Sequence, residues 1–238
     1  MNDGNKRDGE AQYGEFVAEI RRRGHQRMGF MSSWAYLDDP KRLAFMMARY
    51  KFVAKMLDGL SHVLEVGCGD GFGTRVVAQA VQKVTAIDFD PEFIEDARAV
   101  AGDRYPIAFH QHDMLEAPFA DSFSGAYSLD VLEHIESCNE DRFIENIKSS
   151  LTADGVFIVG TPSIESQTYA SRMSKLGHVN CKTQAGLKQT MLGHFRNVFM
   201  FGMNDEVLHT GYAKMVHYNF ALCAGPLATE SPNGHLEK

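Results

Sequence analysis

Residues 63–73 run from a short apolar strand straight into a glycine-dense bend, Val63-Leu64-Glu65-Val66-Gly67-Cys68-Gly69-Asp70-Gly71-Phe72-Gly73. Glycines at alternate positions carry no Cβ, so the backbone can turn sharply there and come close to a ligand. Thr74 to Ala80 has a helical pattern, and Lys83 to Ile87 reads as a second strand. A glycine cluster alone is often only a turn. Set between a strand and a helix, it constrains the chain far more.

The remainder continues that alternation. Asp90-Pro91-Glu92 opens a helix with an N-cap Asp and an N1 Pro. Ile107–His110 and Gly125–Leu129 read as strands three and four. Ser137-x-x-Glu140 has the form of a capping box, opening a helix that ends near Leu151. Asp154-Gly155 turns into a fifth strand, Val156–Val159, and Lys182–Leu192 is helical. Two β-like runs close the chain, near Val198–Phe201 and Val216–Leu222, and suggest an edge hairpin. Ahead of all this, residues 10–57 are helical, and Lys41–Leu57 repeats apolar residues at helical spacing after Asp39-Pro40. Alternating strands and helices call for a parallel sheet covered on both faces, with ligands bound beyond the carboxyl ends of its strands where strand order reverses.

At 238 residues the chain is long enough for a substantial core, and its 44% hydrophobic content is that of a globular protein. The net charge of −7 does not invite nucleic acid or an anionic membrane, although Arg21-Arg22-Arg23 forms a local basic patch, read mainly as a solvated helix face. Cys68, Cys138, Cys181 and Cys223 form no C-x-x-C pair, so no metal site is expected and reduced thiols are. With no apolar leader after Met1, the expectation is a cytoplasmic protein.

Asp88 ends strand two, 21 residues beyond Gly67. A carboxylate there can accept both hydroxyls of a ribose. The spacing Gly67-x-Gly69-x-Gly71 differs from the G-x-G-x-x-G that serves a pyrophosphate. Glu65 inside the strand would repel a diphosphate, suits a ligand bearing an amino group, and can also bond the loop backbone.

The stretch Leu64–Thr74 resembles motif I of class I S-adenosylmethionine methyltransferases, and similar motifs follow in order. Val84-Thr85-Ala86-Ile87-Asp88 resembles the second motif, whose acid holds the ribose. His112-Asp113-Met114 matches the place where an Asp meets the adenine amino group. Tyr127-Ser128-Leu129-Asp130-Val131-Leu132-Glu133-His134-Ile135 resembles the fourth motif, which lines the methionine end. The resemblance spans roughly residues 60–160. It implies S-adenosylmethionine as cofactor, held by Glu65, Gly67, Gly69, Gly71, Asp88, Phe89, Asp113, Met114 and Asp130, with Arg49 (beside Tyr50) on its carboxylate. Trp34 and Tyr36 are candidates for a lid or for core packing.

The expected fold is α/β: a Rossmann-like, doubly wound, mostly parallel seven-stranded sheet with an antiparallel edge hairpin and an N-terminal helical cap. Residues 10–225 form a single domain, divided into a cap (10–57), a cofactor-binding core (58–160) and acceptor-site elements (161–225). The tails 1–9 and 226–238 are expected to fray.

Acceptor residues should lie on loops after strands four and five and near the hairpin. His178 and His134 are the candidate general bases, and Tyr169, Asn180, Asp205 and His209 the candidate acceptor contacts. The chain lacks the [D/N/S]-P-P-[Y/F/W] stretch of amino-methylating nucleic-acid enzymes, so a small-molecule acceptor is expected, with neither nucleic acid nor membrane as partner. The region 162–217 loosely resembles methyltransferases acting on sugars or polysaccharide precursors. A homo-oligomer, a non-catalytic cofactor-binding protein and a nicotinamide dehydrogenase stay open.

Overall fold

The computed structural model describes residues 10–228; of the expected tails at 1–9 and 226–238, residues 1–9 and 229–238 lie outside them. Three helices come first: α1 (Gly14–Arg23), α2 (Phe30–Asp38) and α3 (Lys41–Met56). Then follow β1 (Val63–Val66), α4 (Thr74–Ala78), β2 (Val84–Asp88), α5 (Pro91–Val100), β3 (Ile107–Gln111), β4 (Phe123–Leu129), α6 (Glu140–Ser149) and β5 (Leu151–Pro162). The chain closes with α7 (Arg172–Gly177), α8 (Gln184–Leu192), β6 (Phe195–Asn204), β7 (Val207–His209) and β8 (Tyr218–Pro226).

The strands form one sheet in the order β3-β2-β1-β4-β5-β8-β6-β7. β1 pairs in parallel with β2 on one side (Val63↔Val84) and with β4 on the other (Leu64↔Ala126), so strand order reverses at its carboxyl end. That is where a crevice must open. The sheet has eight strands instead of seven, because Val207–His209 pairs back onto β6. Antiparallel pairing at that edge therefore takes in three strands, with β8 lying between β5 and β6. Pro226 pairs with Phe195 and the Leu227 amide donates to His194 O at 2.8 Å, so the ordered sheet runs past the expected boundary at 225.

Strands buried on both faces explain the unbroken apolar runs of the sequence. Successive residues of β1 feed opposite layers. Val63 packs with Val53, Leu57, Val77 and Tyr127 beneath α3 and α4. Leu64 packs with Phe143, Ile144 and Ile147 of α6. α3 thus belongs to the core, with Tyr50, Phe52, Val53 and Ala54 buried, whereas α1 buries nothing.

Two local expectations meet different fates. Asp90 caps α5, accepting from the Glu92 amide at 2.9 Å with Pro91 in the first turn. The capping box at Ser137–Glu140 does not form. α6 starts at Glu140 behind Asn139, Ser137 Oγ donates to Asn180 Oδ1 (3.0 Å), and Glu140 Oε2 pairs with Lys182 Nζ (3.0 Å). A charge-assisted contact across the fold outweighs a local neutral one. No helix among the described residues is long and apolar enough to cross a membrane.

α2 is fastened to the glycine bend by Asp70. Its carboxylate accepts from the Ser32 amide (2.7 Å), Ser32 Oγ (3.0 Å) and the Phe72 amide (3.1 Å), and Phe30 stacks on Phe93 at 5.0 Å. Asp70→Ala should cost about 1–3 kcal/mol by orphaning these donors. Urea unfolding should show that loss, with faster proteolysis in the 24–29 segment.

Candidate active site

Beyond the carboxyl ends of β1, β2 and β4 lies a cavity of about 690 Å³, walled by the 66–70 bend, Ile87–Phe89, His112–Leu115 and Leu129–Val131 and roofed by Met31, Ser32 and Ala35 of α2. This size suits a nucleoside-like cofactor. The bend is as tight as its composition implies. Gly67 has φ +80°, and a Cβ there would collide with the Val131 side chain; Gly71 has φ +67°, and a Cβ would come within 2.6 Å of the Phe109 ring. Both conformations are reserved in practice for glycine.

Asp88 stands at the end of β2 with Oδ2 accepting from the Gly69 amide (3.0 Å) and Oδ1 from the Asp90 amide (3.1 Å). Burial pushes its carboxyl above the ordinary range, while the two amides oppose that shift. Each oxygen retains a lone pair for a vicinal hydroxyl. Asp113 accepts from the Leu115 amide (2.8 Å) through Oδ1, and Phe89 is exposed at the cavity rim.

Candidates expected to touch the cofactor separate into two shells. Gly67, Gly69, Asp88, Phe89, Asp113, Met114 and Asp130 line the cavity; Glu65, Gly71 and Arg49 do not. Glu65 lies under the bend, 1% exposed, where Tyr50 OH donates to Oε1 at 2.8 Å. Arg49 binds both oxygens of Asp130 (2.8 and 2.7 Å) and lies 3.8 Å over the Tyr218 ring. The pair holds Asp130 at φ +58°, a left-handed conformation that Asp tolerates better than most residues. Trp34 and Tyr36 point outward from α2, 60% and 56% exposed, so the inward face of that helix is Met31, Ser32 and Ala35.

Of the proposed bases, His134 lines the cavity and His178 sits behind it, ring centroids 5.2 Å apart in an edge-to-face pair. His134 Nδ1 meets Gly177 O (2.9 Å), and His178 Nδ1 meets Gln167 Oε1 (2.8 Å). Burial, with the neighbouring His134, lowers the His178 pKa. None of the four acceptor candidates lines the cavity. Tyr169 is 87% exposed. Asn180 is buried, donating to Glu140 Oε2 (2.7 Å) while its Oδ1 takes the Ser137 hydroxyl. His209 contacts Asn204 Oδ1 (2.9 Å), and Asp205 turns between β6 and β7 at φ +51°. β7 lies four strands from β4, roughly 19 Å away at ordinary strand spacing.

Three functional features were not legible as such. Asp70 lies inside the glycine motif but gave no sign of holding α2. Glu133 adjoins His134 in the fourth-motif stretch, 1% exposed, accepting from Thr161 Oγ1 at 3.1 Å; burial and nearby Asp130 raise its carboxyl pKa. Gln167 orients His178 from a short 3-10 turn that carries no motif.

Residues 63–155 match the family model of a methyltransferase domain, and residues 13–108 match that of protein-L-isoaspartate(D-aspartate) O-methyltransferase. A protein of Mycolicibacterium smegmatis named for S-adenosylmethionine-dependent methyl transfer is 32% identical over 103 residues, 42% of this chain and 38% of its own length. Nodulation protein S of Bradyrhizobium diazoefficiens is 30% identical over 132 residues, covering 52% of this chain and 63% of that protein. The chain thus spans well under half the length of the first relative. Among solved structures, the N-methyltransferase NodS from Bradyrhizobium japonicum WM9 with S-adenosyl-L-homocysteine superposes with a TM-score of 0.58 at 21% identity, over 82% of this chain and 92% of that one. A DhpI–SAM–HEP complex gives 0.58 at 18% identity, over 87% and 95%. The matched core, residues 63–155, is similar to a methyltransferase domain, and the solved structures share the Rossmann-like fold of the whole sheet. S-adenosylmethionine is the cofactor such a domain takes, and Asp88, Asp113 and the open bend fit its hydroxyls, base and close backbone approach.

Glu65 makes the stability of this domain depend on pH. Burial lifts its carboxyl to about 7 from 4.5, against the lowering hydrogen bond from Tyr50. Below about pH 4.5 the group is protonated whether the chain is folded or not. Between the two values only the folded chain keeps the proton, so its contribution to stability falls as pH rises through that window and is lost above about 7. The full swing is on the order of 3 kcal/mol. Urea titrations at either end of the window should differ less in Glu65→Gln than in the wild type.

Proposed function

We propose that this protein transfers the methyl group of S-adenosylmethionine to a hydroxyl or amine of a small molecule, a sugar or polysaccharide precursor being the favoured acceptor. The observation that carries the reading is one cavity joining Asp88, Asp113 and Asp130 along its cofactor side to His134 on its acceptor side. When bound, the cofactor supplies a methyl group already activated by its sulfonium. The protein's task is therefore alignment and exclusion of water, which lowers barriers by about 7–11 kcal/mol in favourable cases. α2 closes the roof through Met31, Ser32 and Ala35, and the Arg49–Asp130 pair sets the backbone beside the methyl-donor end.

His134 serves as base for a hydroxyl acceptor. Its Nδ1 proton is donated to Gly177 O, which can only accept, so Nε2 keeps its lone pair. His178 and Gln167 buttress it from behind. Titration should show that S-adenosyl-L-homocysteine binds and NAD does not, and that Asp88→Ala weakens S-adenosyl-L-homocysteine by about 10–100-fold, the loss of hydrogen bonds to a charged group. Binding of NAD in preference would overturn the nucleoside assignment.

A small-molecule acceptor is supported by the net charge of −7 and by the likeness to the N-methyltransferase NodS. A second reading has an observation of its own. The tRNA U34 carboxymethyltransferase of Shewanella piezotolerans is 31% identical over 107 residues, which keeps an RNA acceptor in view. Labelled cofactor incubated with saccharide, metabolite and tRNA fractions separates the two, label in tRNA alone refuting the first. On the accepted substrate, His134→Ala should lower turnover by about 10²–10⁴-fold while leaving S-adenosyl-L-homocysteine affinity within about threefold. Unchanged turnover would remove His134 as base.

A further inference from the structure

The turn after β4 and the end of α7 bring together three metal-ligating side chains, of which the sequence marked only His134 and His178, and those as bases. Glu133, His134 and His178 each offer one ligand atom, and these atoms all lie within 4.8 Å of one another. The amides of Val179 and Asn180 both donate to Glu133 O (2.8 and 3.0 Å), so the two segments are tied together by backbone as well.

The tautomers of both imidazoles are set by their partners. Gly177 O can only accept, which places a proton on His134 Nδ1. Gln167 Nε2 donates to Ser163 O (3.2 Å) and Ser166 Oγ (3.3 Å), which orients its amide so that Oε1 faces His178 Nδ1. His178 therefore also carries its proton on Nδ1. Both rings present Nε2 as a bare lone pair, and each has its other nitrogen held by a carbonyl oxygen. Metal-binding histidines show that outer-shell arrangement almost always. Glu133 has one oxygen, Oε2, engaged by Thr161, leaving Oε1 for a ligand. The nearest cation, Arg49, is committed to Asp130 through both carboxylate oxygens.

We propose that Glu133, His134 and His178 form a binding site for a divalent transition-metal ion of borderline softness, such as zinc. Two imidazoles and one carboxylate are a donor set that binds zinc and leaves a coordination position open. Because His134 lines the cofactor cavity, that position faces the acceptor side, where water or an acceptor oxygen can occupy it. An imidazole that holds the ion cannot also take a proton, so in the loaded protein His134 is a ligand and not a base. Ion binding itself does not rest on the methyl-transfer reading.

The full chain, stripped with chelator and dialysed, is titrated with zinc chloride against a chromophoric competitor, and separately with cobalt(II) to read its visible ligand-field bands. One ion per chain is expected, with cobalt bands of a low-coordinate site. His178→Ala and Glu133→Gln should each weaken zinc by at least about 100-fold. Gln167→Ala, which removes the carbonyl orienting His178 together with the amide bonds to Ser163 and Ser166, should weaken it by about 10–100-fold. S-adenosyl-L-homocysteine binding by each variant shows that its fold survives; should Glu133→Gln fail that check, His178→Gln takes its place. Absence of saturable zinc binding by the wild type overturns the proposal. So does zinc affinity unchanged in folded His178 variants, which would leave the histidines as a packed pair beneath the cavity.

Discussion

The site depends on how closely the 67–73 backbone passes the elements around it. Val131 sits where a Cβ on Gly67 would go, the Phe109 ring where one on Gly71 would go, and the Tyr50 ring where one on Gly73 would go. The bend is therefore clamped between the turn after β4, strand β3 and helix α3. Any side chain there would push apart the walls that form the cavity. The same squeeze places the Gly69 amide on Asp88 and Asp70 under Ser32, so Asp88 and the roof helix are both positioned from one stretch of backbone.

Charge is managed around that bend in a consistent way. Glu65 and Glu133 are both buried, and both are pushed toward the protonated state by desolvation. Glu65 is stabilised by the Tyr50 hydroxyl, and Asp130 by the Arg49 guanidinium. Removing one partner of such an arrangement costs more than the pair contributes, because the other is left unpaired away from water. Helix α3 supplies Arg49 and Tyr50 from adjacent positions, which makes it part of the site's electrostatics as well as of the core.

Much of the cavity lining was legible in sequence because its signals are local. A glycine bend, an acid at the end of the next strand and an Asp after the third depend on short spacings that a parallel sheet converts directly into positions. Arg49 shows where this stops. An arginine expected on the cofactor's carboxylate pairs with Asp130, 81 residues away, and no spacing could have chosen between the two partners. The acceptor side was less legible still, since Asn180 and His209 are polar loop residues whose hydrogen bonds are taken up by the fold.

The order of strands and helices, their burial on both faces and the position of the crevice were determined by the sequence alone, since periodicity and glycine placement act over a few residues. Tertiary structure decided the eighth strand, the fate of the Ser137–Glu140 box and the meeting of Glu133, His134 and His178. Each of these results from competition among partners far apart in the chain, and the strength of a contact there depends on burial and distance that exist only once the sheet has formed.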